Sequence, residues 1–296
     1  MPPTLDPLAV LLGDDPPVPA GDERHHVLLQ PTFHRDVLLT IDLGQRPAIR
    51  ARTYESSVSM ALLDHLAARK QARGDHDASM LMPKLPRHHE ARAGLPATRA
   101  EPLRLALARD LTGLSVRDDR VGRDGIGLDV EVRRADAPPR RFTAWSPEAG
   151  HPQHAYFAAV HALATEVFAH DEHTMLHLGH THGYLDLGLP ARDRGGYPRR
   201  LQIFGRLASS DERALAALFA SPRPSEAVVV DMRTFETMAP QLHPLFHKFS
   251  RRPGVTGWAV SPSARRALKA AQVPSNQQRD DLSDAILLVT VNDARR

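Results

Sequence analysis

One stretch limits the folds open to this chain of 296 residues. Ala227-Val228-Val229-Val230-Asp231-Met232 sets four apolar residues, three of them β-branched, ahead of an aspartate. Such a run predicts a short strand buried on both faces, central and parallel in its sheet. Met238, Leu242, Leu245, Phe246 and Phe249 follow at offsets of 4, 7, 8 and 11. That spacing puts them on one face of a helix that packs back on the sheet. A strand followed by a helix is half of a βαβ unit.

The surrounding sequence extends the pattern. Leu201 to Phe204 predicts a strand turning at Gly205, and Ala214, Leu215, Leu218 and Phe219 make one helix face. Thr256 to Val260 predicts the next strand. Ser261-Pro262 reads as a cap with proline at the first helical position. Asp280 or Asp281 caps a last helix through Leu282, Ala285 and Ile286, although Ile286 to Val291 reads equally well as a strand. Residues 201–296 are therefore expected to form a small α/β domain with a partly parallel sheet.

The N-terminal half is different. Residues 1–23 are proline-rich and acidic and are expected to be a mobile tail, with Leu8 to Leu12 lying loosely on the domain. His25 to Phe33, Asp36 to Leu43 and Pro47 to Tyr54 predict strands, the first an edge strand because of Pro31. Val58, Leu62, Leu63 and Leu66 share a helix face, with Ser56 or Ser57 as its cap. Residues 74–100 read as a long loop. Beyond it come a helix over Glu101 to Leu111 and strands at Leu114 to Asp118, Ile126 to Arg133 and Arg141 to Trp145. The strongest helix signal runs from His154 to Phe168. The expectation is an α+β domain over residues 24–170, a His-rich connector over 171–200, and two domains in all.

Composition closes several options. No apolar run approaches the ~20 residues that span a bilayer. Leu8 to Leu12 is too short for a secretion signal and lacks preceding basic residues, so a cytoplasmic location is expected. The chain has no cysteine, which removes disulfides, thiol catalysis and cysteine-ligated metals. Net charge is +3, and only Lys70, Lys84, Lys248 and Lys269 of the 38 basic residues are lysine. The basic residues alternate with acids and aromatics make up 5%, which disfavours nucleic acid as a partner.

The C-terminal order of elements resembles the STAS domains of bacterial anti-sigma-factor antagonists. Phe204-Gly205-Arg206-Leu207 matches a strand ending in Gly-x-Leu, and Val228-Val229-Val230-Asp231 the buried second strand. Gly254 to Val260 with Ser261-Pro262-Ser263 and Leu268 matches the third strand and helix. Asp281-Leu282-Ser283-Asp284-Ala285 matches the acidic start of the last helix. The likeness covers about one third of the chain. It implies a non-enzymatic regulatory or adaptor protein that works through contact with a protein partner. The implied contact surface is the start of the helix after the second strand: Glu236, Thr237, Met238 and Gln241. In regulatory members a phosphoacceptor serine sits there in Asp-Ser-(Ser/Thr)-Gly. Here Thr237 stands in for the serine and Glu236 for the aspartate, and the glycine is absent. Thr237 as an ordinary helix cap explains the residue type equally well.

A second function class rests on histidines. His173 and His177 fall i,i+4 on a helix from Asp171 to Leu178. His180 and His182 can close around a metal, with Glu172 or Asp186 adding a carboxylate. Imidazole suits zinc or iron, so the alternative is a metal-dependent hydrolase at the domain junction. Against it, no HExxH occurs, and 17 histidines make chance clusters common. No GxSxG occurs either. Gly122-Arg123-Asp124-Gly125-Ile126-Gly127 leads into a strand, as a hairpin turn does.

Overall fold

Antiparallel pairing organises the first part of the chain. The computed structural model describes residues 6–13, 15–71, 83–107 and 125–295. It divides into two compact units, Met1–Leu185 and Asp186–Arg296. In the first unit β1 (Glu23–Pro31), β2 (Val37–Asp42), β3 (Ala48–Tyr54), β4 (His88–Gly94), β5 (Ile126–Arg134) and β6 (Ala137–Trp145) form one sheet in the order β4-β3-β2-β1-β5-β6. Every neighbouring pair in it is antiparallel. The period-2 alternation separates two faces. His25, Val27 and Leu29 of β1 face with Leu39 and Ile41 of β2, Ile49 and Ala51 of β3, and Val130 and Val132 of β5, all buried. This apolar face takes α4 (Pro152–Val167) and α5 (Glu172–Tyr184); α3 (Ala97–Leu107) packs on α4. Tyr156 of α4 meets Phe142 of β6 edge-on, their ring centroids 5.5 Å apart.

The opposite face carries Arg24, His26 and Leu28 in β1 and their register partners on the neighbouring strands. Its centre is apolar. Leu28, Leu38 and Tyr54 meet Leu8 and Leu12, which flank and include α1 (Pro7–Leu11), and Val58 and Leu62 of α2 (Val58–Gln71). Its rim is a set of arginines and carboxylates.

The second unit has a five-stranded sheet, β13-β12-β10-β8-β7, made of β7 (Ala191–Gly195), β8 (Arg199–Ile203), β10 (Val228–Met232), β12 (Thr256–Val260) and β13 (Gln278–Arg279). Only β7 is antiparallel to its neighbour. Two short strands, β9 (Gly205–Leu207) and β11 (Phe235–Met238), pair apart from it. The chain thus combines an antiparallel sheet with a mixed sheet that contains parallel strands. β10 is central, as its uninterrupted apolar run requires. Val228, Val230 and Met232 join Leu215 and Phe219 of α6 (Glu212–Ala220), Phe246 and Phe249 of α7 (His243–Ser250), and Leu268 of α8 (Pro262–Ala270). Val229 faces the other way, with Ala259, toward Leu282, Ala285 and Val289 of α9 (Leu282–Asp293). Gly257 lets α9 approach, since a Cβ there would stand 2.6 Å from Val289 Cγ2. The alternative of a strand over Ile286 to Val291 is excluded, because the segment is helical.

Several expectations need correction. The segment after residue 5 is docked: Asp6 caps α1 through the Ala9 N–H at 3.1 Å, and Leu8 and Leu12 are buried. Pro7 sits in the first turn, where its missing N–H costs nothing. Pro31 does not make β1 an edge strand; it is the last residue of a central strand. Residues 88–94 of the supposed loop are β4, while 72–82 lie outside the described residues. So does the strand expected at Leu114 to Asp118. The stretch 171–200 holds α5 and β7, and the two units divide after Leu185. The Met238–Phe249 helix splits into β11, a 3-10 turn over Pro240–Leu242, and α7. Pro240 forces the preceding Ala239 into extended backbone, at ψ 137, so no helix starts before it. Among the described residues no helix is long and apolar enough to cross a membrane.

Val229→Asp should unfold or severely weaken the second unit, since it buries an unpaired carboxylate under α9. The expected loss is roughly 4 kcal/mol or more. Melting within a degree or two of wild type would contradict the two-faced burial of β10.

Candidate functional site

The histidines that the sequence singled out are divided by the structure. Asp171 caps α5 by accepting the Thr174 N–H at 2.7 Å and contacts His89 Nε2 of β4 at 3.1 Å. His173, His177 and His180 then follow one side of α5, their rings in sequence 4.8 and 5.7 Å apart between centroids. The sheet extends the track at both ends. His89 lies 4.6 Å from His173, and His34, in the β1–β2 turn, stacks on His180 at 4.2 Å. His182 takes no part in it: it points to the other side of α5, against His161 of α4 at 5.1 Å. Two residues on from His180, it is turned by about 200° around the helix. Glu172 is exposed at the start of α5, and Asp186 falls in the second unit.

His177 sits at the centre of the track, 3% exposed, and neither of its ring nitrogens has a hydrogen-bond partner among the described residues. Burial pushes it down to about 3, and His173, His180, Arg35 and His34 add repulsion. His173 is also lowered, by burial and then by His89. His25 shows the contrasting case. It is fully buried, but Nδ1 meets Tyr156 Oη at 3.2 Å and Nε2 meets Glu23 Oε1 at 2.7 Å. In the track each ring has the next as its neighbour, in a row from His89 to His34. No three His, Asp or Glu side chains among the described residues are placed to hold a metal ion. The reading of His173, His177, His180 and His182 as one zinc or iron ligand set is therefore revised: three of the four share a surface, and His182 does not.

Sequence reasoning missed a second feature, on the charged face of the first unit. Arg50 of β3 pairs in register with Arg92 of β4, and Arg24 of β1 with Asp42 of β2. A pocket of 440 Å³ opens there, lined by these four residues together with Asp15, Pro16, Ala48, Ile49, Ala93 and Gly94. Asp15 reaches in from the N-terminal segment. Its carboxylate accepts from Arg24 at 2.9 Å and from Arg50 at 3.4 Å. His26 Nε2 lies 3.3 Å from the same carboxylate without forming a hydrogen bond. His26 is fully buried, and burial holds it down at about 3. Arg24 also binds Asp42 at 2.5 Å and the Pro16 carbonyl at 2.9 Å. Arg92 is the most open of the cations, its side chain 70% exposed and 3.2 Å from Glu90. The Arg50–Arg52 alternation was visible in the sequence. The register with Arg92 and Arg24, and the reach of Asp15, were not.

The partner surface implied by the resemblance is arranged differently from a helix start. Glu236, Thr237 and Met238 lie on β11, with Thr237 exposed opposite Arg206 of β9. Glu236 approaches Arg206 at 3.8 Å. Met238 is buried and Gln241 is exposed in the 3-10 turn. Thr237 is therefore not a helix cap.

No protein-family model matches the chain, and a search of curated proteins found no match.

His177 and His26 make stability fall with acid. An imidazole buried neutral has a folded pKa below its ordinary ~6.5, so its contribution is full above pH 6.5 and is lost as pH falls toward 3. Asp36 works in the opposite direction, because burial raises it from 3.8 to about 6 and protonation relieves that cost. By pH 4.5 His177 and His26 each lose on the order of 2–3 kcal/mol, against a gain of roughly 2 from Asp36. The melting temperature should drop between pH 6.5 and 4.5, and His177→Leu should flatten that slope. A midpoint constant or rising over this interval would count against neutral burial of these rings.

Proposed function

We propose that the protein is a non-enzymatic, ligand-binding regulator, and that the arginine pocket of its first unit takes a small phosphate-bearing anion. One observation carries the reading: a carboxylate of the chain itself, Asp15, already sits between Arg24 and Arg50 and faces His26. Guanidinium groups bind carboxylate and phosphate by the same paired N–H geometry. The pocket's volume lies in the range of small-molecule sites. Its lining sets three arginines against Asp15 and Asp42, which leaves an excess of positive charge. Among the described residues no serine, threonine or cysteine lines it, so it offers an anion a seat without a hydroxyl or thiol nucleophile. A mononucleotide-sized ligand would place its phosphate on the arginines and its remaining atoms along Ala48 and the strand backbone beside it.

Calorimetric titration with inorganic phosphate, pyrophosphate, a mononucleotide and acetate tests this at low salt. Pyrophosphate should bind more tightly than acetate, and Arg50→Ala should weaken it about tenfold, the cost of one charge-assisted hydrogen bond. Tighter binding of the nucleotide than of pyrophosphate would extend the ligand beyond its phosphate. Absence of binding by any phosphate compound at millimolar concentration would sink the proposal.

A second reading concerns the other unit. The alternation of strands and helices from β8 to α9 supports a STAS-like fold with a protein partner. The exposed Thr237 opposite Arg206 favours its contact surface, because a phosphate there would have a cation beside it. Affinity capture with wild type and Thr237→Glu should recover one partner lost only in the variant. The same set of proteins from both would remove Thr237 from any switch.

A further inference from the structure

We infer that the segment carrying Asp6, Leu8, Leu12 and Asp15 is a built-in competitor for the arginine pocket, with Asp15 as the mimic of the incoming anion. The inference rests on the pocket reading above and adds its regulation.

The segment is held at two kinds of attachment. Its apolar anchor is Leu8 and Leu12, both buried against Leu28, Leu38, Tyr54, Val58 and Leu62. Its polar attachments lie on either side of that anchor. Asp6 pairs with Arg141, which also binds Asp129 at 2.6 Å. Asp15 pairs with Arg24 and Arg50. The two ends differ in what they leave behind on release. At Asp6, Arg141 keeps the Asp129 carboxylate. At Asp15, Arg24 keeps Asp42 at 2.5 Å, but Arg50 makes no second ion pair among the described residues, and buried His26 faces the space that opens. The lining then holds Arg24, Arg50 and Arg92 against Asp42, with Glu90 beside Arg92 outside it, and Arg50 is the cation left for an incoming anion.

The anchor sets the energetics of this exchange. Because Leu8 and Leu12 stay seated, Asp15 remains close to the arginines even when it lets go. A tethered carboxylate of this kind competes at an effective concentration in the millimolar range or above. An external anion must outcompete it, so the wild-type pocket responds only to a ligand that binds better than a carboxylate. Pro16 and Pro17 follow directly and stiffen the exit of the segment.

The test is pyrophosphate titration of the full chain, comparing wild type with Asp15→Asn, whose side chain keeps its size and loses its charge. Binding should tighten at least fivefold in the variant. Asp6→Asn removes the far attachment and leaves the lining intact. It should tighten binding by a smaller factor, and it keeps the test open if the Asp15 variant does not fold. Equal affinity in all three proteins would overturn the competition while leaving the pocket reading in place. Weaker binding in Asp15→Asn would also overturn it, by making Asp15 part of the ligand's own seat. Failure of all three to bind would remove the pocket reading and this inference with it.

Discussion

The placement of Asp15 between Arg24 and Arg50 is the interaction on which the first unit's charged face depends. Sheet strands with a strict period of 2 present two faces, and here the two have been given different chemistry. One is apolar and takes α4 and α5. The other carries arginines on β1, β3, β4, β5 and β6, which repel one another unless acids are interleaved. Glu90, Asp129, Glu131 and Asp42 supply part of that compensation from the strands themselves. The N-terminal segment supplies the rest through Asp6 and Asp15. Half-buried ion pairs of this sort contribute little net stability, because desolvation offsets their attraction. What they fix is position, and the position fixed here is that of a segment lying across a pocket.

The histidine track is a separate consequence of how α5 lies on the same sheet. Its spacing of four and then three residues puts His173, His177 and His180 along the side that faces His89 and His34. Burial of His177 at the centre of the row, with His173 and His180 beside it, favours its neutral form. That neutrality makes His177 acid-sensitive.

How much could be read beforehand varies with the range of the interactions involved. The run from Ala227 to Asp231 declares a doubly covered strand because burial on both faces is written in consecutive residues. α4 and the start of α9 were readable because an apolar stripe or a capping aspartate is local, whereas Ile286 to Val291 read equally well as a strand. The start of α7 was misplaced because apolar spacing counted Met238 and Leu242 as one helix face, while Pro240 between them had the stronger say. α1 was hidden by its composition: prolines and acids suggested a tail, yet Pro7 and Asp6 are the residues that start a helix, and Leu8 with Leu12 is enough to seat it. The pocket was out of reach. Arg24, Arg50, Arg92 and Asp15 come from four separate segments, and only strand register and a docked segment bring them together.

A crystal structure of the protein grown with saturating pyrophosphate tests the central claim most directly. The account predicts the anion between the guanidinium groups of Arg24 and Arg50, in the place of the Asp15 carboxylate, with Leu8 and Leu12 still buried. Asp15 in its present place, with pyrophosphate bound elsewhere or not at all, would contradict it.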